Sequence, residues 1–245
     1  MNVHAFENAE EMSAAAAEWI TDKIETHLSA HTRFTWLLAG GNTPKKLFDI
    51  LATDFFRERN FWKNVHIFFG DERFVPFDDP ENNGRMAFEH LLHHVSIPNE
   101  QIHFIRTDIH EKEAAKEYEK LLHNNFPDNT MTFDLTLLGM GNDGHTLSLF
   151  PHSGTVYEQH RWVITSAAPT PPVNRITLTG VATLSSRCIL FLIAGSTKAD
   201  SLKQVLQGEY APDLYPAQLF RSHREIHWFA DRDALKNTDL PKHEQ

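Results

Sequence analysis

The stretch from Phe34 to Pro44 reads FTWLLAGGNTP, and the prediction of the fold starts from it. Its first part, Phe34 to Ala39, is mostly apolar, which is typical of a strand buried on both faces of a parallel sheet. Two glycines follow. Thr43 and Pro44 then suit the N-cap and the first position of a helix. The stretch therefore predicts a strand, a tight turn and a helix in succession.

Short apolar runs and helical patterns alternate along the rest of the chain. Because such alternation is typical of parallel sheets, we predict an α/β fold, with a Rossmann-like parallel sheet and helices on both faces. The predicted strands are Phe34 to Ala39, Val65 to Phe69, Ile102 to Ile105, Leu135 to Leu138, Trp162 to Thr165, Ile176 to Leu178, Ile189 to Ala194 and Ile226 to Phe229. The predicted helices are Glu10 to Leu28, Pro44 to Phe56, Arg85 to His94, Glu111 to Asn124 and Lys198 to Leu206.

Length and composition fit one compact domain. The 245 residues are 41% hydrophobic and 23% charged, which is enough apolar surface for a single core. We predict one α/β domain over residues 1–232 and a polar, frayed tail over residues 233–245. No apolar run of about 20 residues and no secretory signal is visible. We therefore expect a cytoplasmic monomer or small homo-oligomer that spans no membrane.

Charge and ligand-type residues narrow the classes of partner. The net charge of −10 disfavours nucleic acid, although cationic residues that converge locally could still bind a small anion. Cys188 stands in an apolar run and is predicted to be a core residue rather than a catalytic thiol. His90, His93 and His94 form a metal-like group, but no cysteine or carboxylate at a ligand spacing completes it. We predict no metal and no cofactor.

The turn after the first predicted strand is a candidate phosphate site. Ligands of open parallel sheets bind beyond the carboxyl ends of the strands, and a helix begins there. Its free N–H groups attract phosphate, and glycine lets the backbone approach an anion closely. The alternative is a strand-to-helix turn that binds nothing. The candidate phosphate ligands in this turn are Gly40, Gly41, Asn42 and Thr43.

The second candidate loop begins at Gly70 and continues as Asp71-Glu72-Arg73. Arg73 could hold a carbonyl or carboxylate oxygen, and Asp71 could orient a hydroxyl or a proton-transfer group. The alternative is a solvated edge of the sheet. Arg85 follows a turn-rich segment and could either contact substrate or brace the loop.

The third candidate loop, Gly139 to Thr146, reads GMGNDGHT and contains the spacing GxGxxG. A dinucleotide site also needs an acidic residue at the end of the next strand, where this chain has Thr165-Ser166. We therefore interpret the glycines as a turn that presents His145 as a general base, with Asp143 beside it in the catalytic set. The alternative for His145 is a core histidine.

Two further cations lie beside later predicted strands. Arg175 opens a predicted strand and Lys198 begins a predicted helix, so both could close a phosphate clamp, although either alone could be a surface charge. The motifs GxSxG, GxxxxGK[ST] and HExxH are absent from the sequence. A covalent serine route, nucleotide hydrolysis at a phosphate loop and zincin-type chemistry are therefore unsupported.

Taken in order, these motifs resemble those of the 6-phosphogluconolactonases. They are LAGGNTP from Leu38, FGDER from Phe69, LGMGNDGHT from Leu138 with SLFP from Ser148, and RITLT from Arg175. The likeness runs from about residue 10 to residue 231. It implies a Rossmann-like sheet shared with glucosamine-6-phosphate deaminases. It also implies metal-independent hydrolysis of 6-phosphoglucono-1,5-lactone to 6-phosphogluconate in the oxidative pentose phosphate pathway.

The resemblance also implies residue roles. His145 corresponds to the family's base, and Asp71 and Arg73 correspond to the residues beside the lactone ring. Asn42 stands where a serine is usual in that family, and Leu147 stands where an alanine is usual. The implied phosphate contacts are the glycine loop with Thr43, Arg175 and Lys198.

Two other functions remain as alternatives. Amino-sugar-phosphate deaminases carry an acidic residue after the DGH triplet and a tyrosine in place of the arginine of DER. This chain has Ser148-Leu149-Phe150-Pro151 and Arg73 at those places. A sugar-phosphate sensor normally joins a DNA-binding segment, and no basic helix-turn-helix is visible here.

Overall fold

The computed structural model describes residues 2–128 and 131–239. Its strands are β1 Asn2–Phe6, β2 Phe34–Leu38, β3 Val65–Phe69, β4 Asp71–Arg73, β5 Ile102–His103, β6 Leu135–Leu138, β7 Val163–Ala167, β8 Asn174–Leu178, β9 Ile189–Ile193 and β10 Ile226–Asp231. Its α-helices are α1 Ala9–Leu28, α2 Asn42–Leu51, α3 Asp54–Arg57, α4 Asn83–Ala87, α5 Glu111–Asn125, α6 Gly180–Thr183, α7 Ala199–Gln207 and α8 Arg232–Leu235.

A parallel sheet of seven strands forms the centre of the molecule, in the order β1-β10-β9-β6-β2-β3-β5. Every pair in it is parallel, and β2, β6 and β9 are buried along their whole length, as their unbroken apolar runs predict. Helices pack around the sheet. The predicted fold class is therefore confirmed.

The order of the strands also locates a crevice. From β2 the chain builds outward through β3 and β5, and it then returns to place β6 on the other side of β2 and continues through β9 and β10. The direction of winding thus reverses between β2 and β6. In open α/β sheets such a switch point is where ligands bind, beyond the carboxyl ends of the strands. The loops after β2 and β6 are the two glycine-rich loops of the sequence.

Two of the predicted strands lie outside the parallel sheet, which corrects that part of the prediction. β7 and β8 pair antiparallel with each other, and β8 pairs antiparallel with β4, giving a second sheet in the order β4-β8-β7. The reason is the short connection between β7 and β8. Parallel neighbours need a crossover of about a dozen residues or more, whereas antiparallel neighbours can be joined by a short turn.

Gly70 joins the two sheets. It lies between β3 in the large sheet and β4 in the small one, donates its N–H to Leu38 O at 3.0 Å and accepts from Leu178 N at 2.8 Å. A side chain at this position would lie 2.6 Å from Leu147 Cδ2, so the crossing point suits glycine. The chain thereby carries β4 directly over the carboxyl end of β2.

The two ends of the chain differ from expectation. The sequence did not predict β1, which pairs with β10 at the edge of the large sheet. The frayed tail predicted from residue 233 is wrong for Ala234 and Leu235, which are buried in α8. Residues 240–245 lie outside the described residues. No helix in the described part is both long and apolar enough to cross a membrane.

The helix boundaries also shift locally. The predicted helix from Arg85 begins two residues earlier, as α4, and continues as a π-helical turn over Phe88–Leu92. The predicted helix from Pro44 to Phe56 divides into α2 and α3. At α1 the Asn8 side chain accepts from the N–H groups of Glu10 and Glu11 at 3.0 and 2.9 Å, which fixes the start of that helix.

Candidate functional site

An open cavity of about 510 Å³ lies at the switch point. The loops after β2, β6 and β9 line it from the large sheet, and β4 and β8 line it from the small sheet. It brings together all but one of the residues that the sequence singles out. These are Gly40, Gly41, Asn42, Thr43, Asp71, Arg73, Asp143, His145, Arg175 and Lys198.

Arg85 is the exception, because it is not among the residues that line the cavity. Its Nε donates to Glu89 Oε1 at 2.7 Å, and its Nη1 donates to the carbonyl oxygen of Asp78. Of the two roles left open by the sequence, this geometry supports bracing of the segment before α4 rather than contact with a ligand.

His145 and Asp143 form a directed pair on one side of the cavity. His145 Nδ1 lies 2.6 Å from Asp143 Oδ1, and the same oxygen accepts from the backbone N–H of His145 at 3.1 Å. Burial acts to raise the pKa of the Asp143 carboxyl, but the hydrogen bond and the charge of His145 outweigh it and lower that pKa. An ionised carboxylate only accepts hydrogen bonds. The proton therefore resides on Nδ1, which leaves the lone pair of Nε2 free to act as a base.

The glycines of this loop hold the imidazole in place. Gly141 N donates to His145 O at 2.8 Å, and a side chain at Gly141 would lie 2.1 Å from His145 Nδ1. Gly144 adopts a φ of +83°, in the left-handed region that favours glycine. Phe150 packs against the imidazole with the ring centroids 4.8 Å apart. The GxGxxG spacing thus serves the presentation of a histidine.

Arg175 belongs to a second group of cavity-lining residues, the cationic side, and is nearly buried, with 8% of its surface exposed. Its register partner in β4 is Arg73, so two guanidinium groups start from neighbouring positions of the small sheet. Burial, and then the charge of Arg73, lowers the pKa of Arg175. Its Nη1 is buried and has no hydrogen-bond partner in the part of the chain that the structure describes. A buried donor without a partner is costly, and an anion in the cavity would satisfy it.

Lys198 is a further cation that lines the cavity, at the end of the short loop after β9. Burial lowers the pKa of its ammonium group, and the charge of Asp231 acts against that effect. Asp231 is itself buried and accepts from Gly195 N at 3.0 Å, which fastens the loop that carries Lys198. The loop therefore holds a desolvated positive charge over the cavity.

The glycine loop after β2 supplies backbone donors. α2 begins at Asn42, with Gly41 as its N-cap at a φ of +94°, so the helix starts earlier than the predicted cap at Thr43. The physical reason is that Gly41 can adopt the left-handed conformation that turns the chain into the helix. No side chain caps this end of α2. The free N–H groups of its first turn therefore remain available to an anion.

Three residues around Asp71 were missed by the sequence reasoning. Ser148 Oγ donates to Asp71 Oδ2 at 2.6 Å and thereby orients that carboxylate. Glu72 in β4 and Asn83 at the start of α4 are each only 2% exposed. The alternation of a strand was the available signal, because it directs Glu72 away from the face that carries Asp71 and Arg73.

The histidines that looked metal-like do not converge. His90 Nδ1 lies 2.5 Å from Asp49 Oδ1, while His93 Nδ1 and His94 Nε2 lie 2.7 and 3.2 Å from the backbone oxygens of Phe88 and Glu89. Each ring thus has a separate partner. The expectation of no metal site at this helix rests on that geometry.

A different set of ligand-type atoms lies beside the amino ends of β9 and β10. Single ligand atoms of Cys188, Glu225 and His227 lie within 4.8 Å of one another. Lys23 Nζ already binds Glu225 at 2.9 Å, and burial raises the pKa of the Cys188 thiol to about 12. The thiol is therefore protonated and the carboxylate already neutralised. We assign no metal to this group.

The chain is similar to known proteins over nearly all of its length. The family model described as glucosamine-6-phosphate isomerases/6-phosphogluconolactonase matches residues 7–228. The 6-phosphogluconolactonase of Haemophilus influenzae is 37% identical over 231 residues, which cover 92% of this chain and 98% of that protein. The 6-phosphogluconolactonase of Synechocystis sp. is 36% identical over 222 residues, 89% of this chain and 90% of that protein.

Solved structures agree with this similarity. The crystal structure of 6-phosphogluconolactonase from Thermotoga maritima superposes with a TM-score of 0.80 at 31% identity, covering 94% of this chain and 99% of that one. A monomeric glucosamine-6-phosphate deaminase shares the fold, with a TM-score of 0.79 at 24% identity. The resemblance inferred from the motifs is confirmed. The chain is an enzyme that belongs to the glucosamine-6-phosphate isomerase and 6-phosphogluconolactonase family.

Proposed function

We propose that the enzyme hydrolyses 6-phosphoglucono-1,5-lactone to 6-phosphogluconate, the second step of the oxidative pentose phosphate pathway. The observation that carries the proposal is a single cavity that is lined both by an imidazole–carboxylate pair and by cations, of which Arg175 is buried and Lys198 half-buried. A substrate with a hydrolysable ring at one end and a phosphate at the other matches both sides. Relatives named 6-phosphogluconolactonase support the same choice.

His145 acts as the base in the proposed mechanism. Its Nε2 removes a proton from water, whose oxygen attacks C1 of the lactone, and Asp143 holds the ring and stabilises the imidazolium that forms. Arg73, which lines the cavity, stabilises the tetrahedral oxyanion. The bond from C1 to the ring oxygen then breaks, and the imidazolium returns its proton to that oxygen. The product is the open-chain acid.

The phosphate is held on the other side of the cavity in this proposal. Arg175 Nη1, which lacks a protein partner, donates to a phosphate oxygen, and Lys198 contributes its charge. The N–H groups at the start of α2 complete the clamp, with the hydroxyl of Thr43 beside them. Binding energy gained at the phosphate positions the lactone carbon against His145.

The proposed route uses neither a metal nor a cofactor. A lactone is an activated ester, so water needs only a base and a group that stabilises the developing negative charge. Asp71, fixed by Ser148, is placed to accept a hydrogen bond from a sugar hydroxyl. We expect the enzyme to work in the cytoplasm, on a small sugar-phosphate lactone alone, as a monomer or small homo-oligomer.

The test is lactone hydrolysis followed against the spontaneous background, with and without the 6-phosphate. We expect rapid turnover of the phosphorylated lactone and a much lower kcat/KM without the phosphate. In parallel, glucosamine 6-phosphate is offered and ammonia release is measured. Ammonia release without lactone turnover would assign the deaminase reaction instead, and tight binding of the lactone without turnover would assign a sensor.

A further inference from the structure

Gly40 and Gly41 are glycines for different physical reasons. Gly41 adopts a φ of +94°, and a side chain there would meet nothing within 4 Å. Gly40 is not in that conformation, and its obstacle is steric. A Cβ built on Gly40 would lie 1.9, 2.2 and 2.4 Å from Oδ1, Cγ and Nδ2 of Asn83. The missing side chain of Gly40 therefore makes room for one particular amide.

Asn83 is held by one hydrogen bond from its side chain and one from its backbone. Its Nδ2 donates to the backbone oxygen of Asp71 at 3.0 Å, and its backbone N–H donates to Glu72 Oε1 at 2.7 Å. The buried Glu72 carboxylate also accepts from the backbone N–H groups of Gly84 and Arg73, at 2.8 Å each. Glu72 thus fastens the start of α4 to β4, which fixes the backbone of Asn83 beside Gly40. Asn83 Oδ1 is buried and has no hydrogen-bond partner among the described residues.

Among the described residues, backbone pairing between the two segments that Asn83 contacts ends at the bond from Gly70 N to Leu38 O, at 3.0 Å. Gly40 follows β2 in the large sheet, whereas Asp71 lies on β4 in the small sheet. In the proposed function the first segment binds the phosphate and the second lies beside the lactone ring. Asn83 contacts both, and it lines the cavity between them. Its amide is therefore a spacer between the two ends of the substrate site.

We propose that Asn83 is a positioning residue that sets the distance from the phosphate-binding turn to the residues around the lactone ring. The inference rests on the proposed function. Asn83 selects substrates whose phosphate and carbonyl carbon are separated by the length of a six-carbon sugar. A misplacement of about 1 Å can cost about 10²-fold in rate, so a spacer of this kind controls catalysis without reacting.

The first variant is Asn83→Ala, which removes the spacer. We expect kcat/KM for the phosphorylated lactone to fall by about 10- to 100-fold, mainly through kcat. Inorganic phosphate, used as a competitive inhibitor, serves as the second readout. It needs only the cationic side and the turn, so its inhibition constant stays within about 2-fold of wild type. A parallel rise in that constant would mean that Asn83 merely shapes the phosphate turn, and would overturn the proposal.

The second variant is Gly40→Ala, whose added methyl overlaps the Asn83 amide. We expect kcat/KM to fall at least as far as in Asn83→Ala. In the double variant Gly40→Ala/Asn83→Ala the overlap is gone, so kcat/KM recovers to about the level of Asn83→Ala alone. Such strong non-additivity is the signature of two residues that share one space. Losses that instead multiply would show that Gly40 is needed for close approach of the phosphate.

Thermal unfolding accompanies each variant, so that a loss of fold is recognised. If Asn83→Ala does not fold, Asn83→Ser, which keeps a short polar side chain, replaces it in the same comparison. Failure of the proposed function looks different from failure of this inference. If the proposed function is wrong, the wild-type enzyme does not hydrolyse the lactone. If only this inference is wrong, wild type hydrolyses the lactone, and the variants either keep the wild-type kcat/KM or lose kcat/KM and phosphate inhibition together.

Discussion

The two sides of the cavity are organised in different ways. On the imidazole side, His145 is bonded to Asp143, its backbone oxygen accepts from Gly141, and Thr146 Oγ1 donates to Gly139 O at 2.8 Å. On the cationic side, Arg175 Nη1 is buried without a partner and Lys198 is desolvated. The first side is complete within the protein. The second becomes complete when an anion binds.

In the proposed function, this difference separates the residues that catalyse from the residues that bind the phosphate. A base must be held in one orientation before the substrate arrives, so its hydrogen bonds are made inside the loop. A phosphate site gains affinity when its donors have no competing partner within the protein, and that arrangement costs stability in the free enzyme. Changes on the first side should therefore alter kcat, and changes on the second should alter KM and stability.

The largest effect is expected from His145→Ala. The variant removes the proposed base while leaving the cationic side intact, so we expect kcat to fall by about 10²- to 10⁴-fold and KM to change little. Steady-state lactone hydrolysis, corrected for the spontaneous rate, measures both constants. A wild-type kcat in this variant would remove His145 from the mechanism.

A second histidine nearby provides the matched control. His152 also lies beside an aspartate, with Nδ1 3.6 Å from Asp213 Oδ2, but it does not line the cavity. Its φ is +59°, so His152→Asn is the suitable change, because asparagine tolerates that conformation. We expect kcat within about 2-fold of wild type. A large loss here would mean that the loop, rather than the imidazole of His145, is what the first variant disturbs.

Arg175→Met is expected to have the opposite signature. It removes the proposed charged hydrogen bond to the phosphate, worth about 1.5–3 kcal/mol, so we expect KM to rise by about 10- to 100-fold. It also removes a buried donor that has no partner in the free enzyme. The free energy of unfolding should therefore stay the same or rise by about 1 kcal/mol. Denaturant unfolding without phosphate, together with steady-state kinetics, measures the two effects.

Arg187→Met is the matched control. It removes a positive charge elsewhere in the protein and leaves the Arg175 guanidinium in place. Arg187 is exposed, and its Nε lies 3.4 Å from Asp134 Oδ1, outside the cavity. KM should remain that of wild type. Inorganic phosphate should raise the melting temperature of this control and of wild type, and should raise that of Arg175→Met much less. Equal stabilisation of all three proteins by phosphate would contradict the assignment of Arg175.

Much of the cavity could be predicted from the sequence because it is built from local signals. The apolar run of β2, the two glycines and Pro44 each act within a few residues, and the same holds for the loop that presents His145. Parallel strands place their carboxyl ends on one edge, which brings these loops together without any knowledge of distances. The order of the motifs along the chain also indicated the family.

The small sheet could not be predicted from those signals. β4 has three residues, and its pairing with β8 joins positions about a hundred residues apart in the chain. Apolar runs indicate strands but not their partners, so β7 and β8 were assigned to the wrong sheet. The signal for their correct pairing was the short turn between them, because a short turn favours antiparallel neighbours.

Glu72 and Asn83 escaped prediction for a related reason. A charged residue in a DER triplet suggests a solvated position, since burial of a carboxylate is normally unfavourable. Glu72 is buried because three backbone N–H groups, from Arg73, Asn83 and Gly84, converge on it. That convergence depends on the tertiary fold, and no spacing in the sequence indicates it.

The smallest predicted effect concerns the free energy of unfolding rather than catalysis. It tests whether the carboxyl of Glu72 titrates. Burial raises the pKa of Glu72 to about 8, the charge of Asp71 adds to that effect, and the three backbone N–H groups act against it. A carboxyl whose pKa is raised in the folded protein stabilises the fold when protonated. This contribution is complete below the unfolded pKa of about 4.5 and is lost as pH rises through about 8.

Glu72→Gln replaces the titratable carboxyl of Glu72 with a neutral amide. Wild type should lose stability relative to the variant between about pH 5 and pH 8, with a slope of up to about 1.4 kcal/mol per pH unit, the value for one proton. Denaturant unfolding of both proteins at about pH 5.5, 6.5, 7.5 and 8.5 measures the difference in their free energies of unfolding. Parallel curves would mean that Glu72 does not titrate in this range, and that its three backbone bonds, rather than burial, determine its charge.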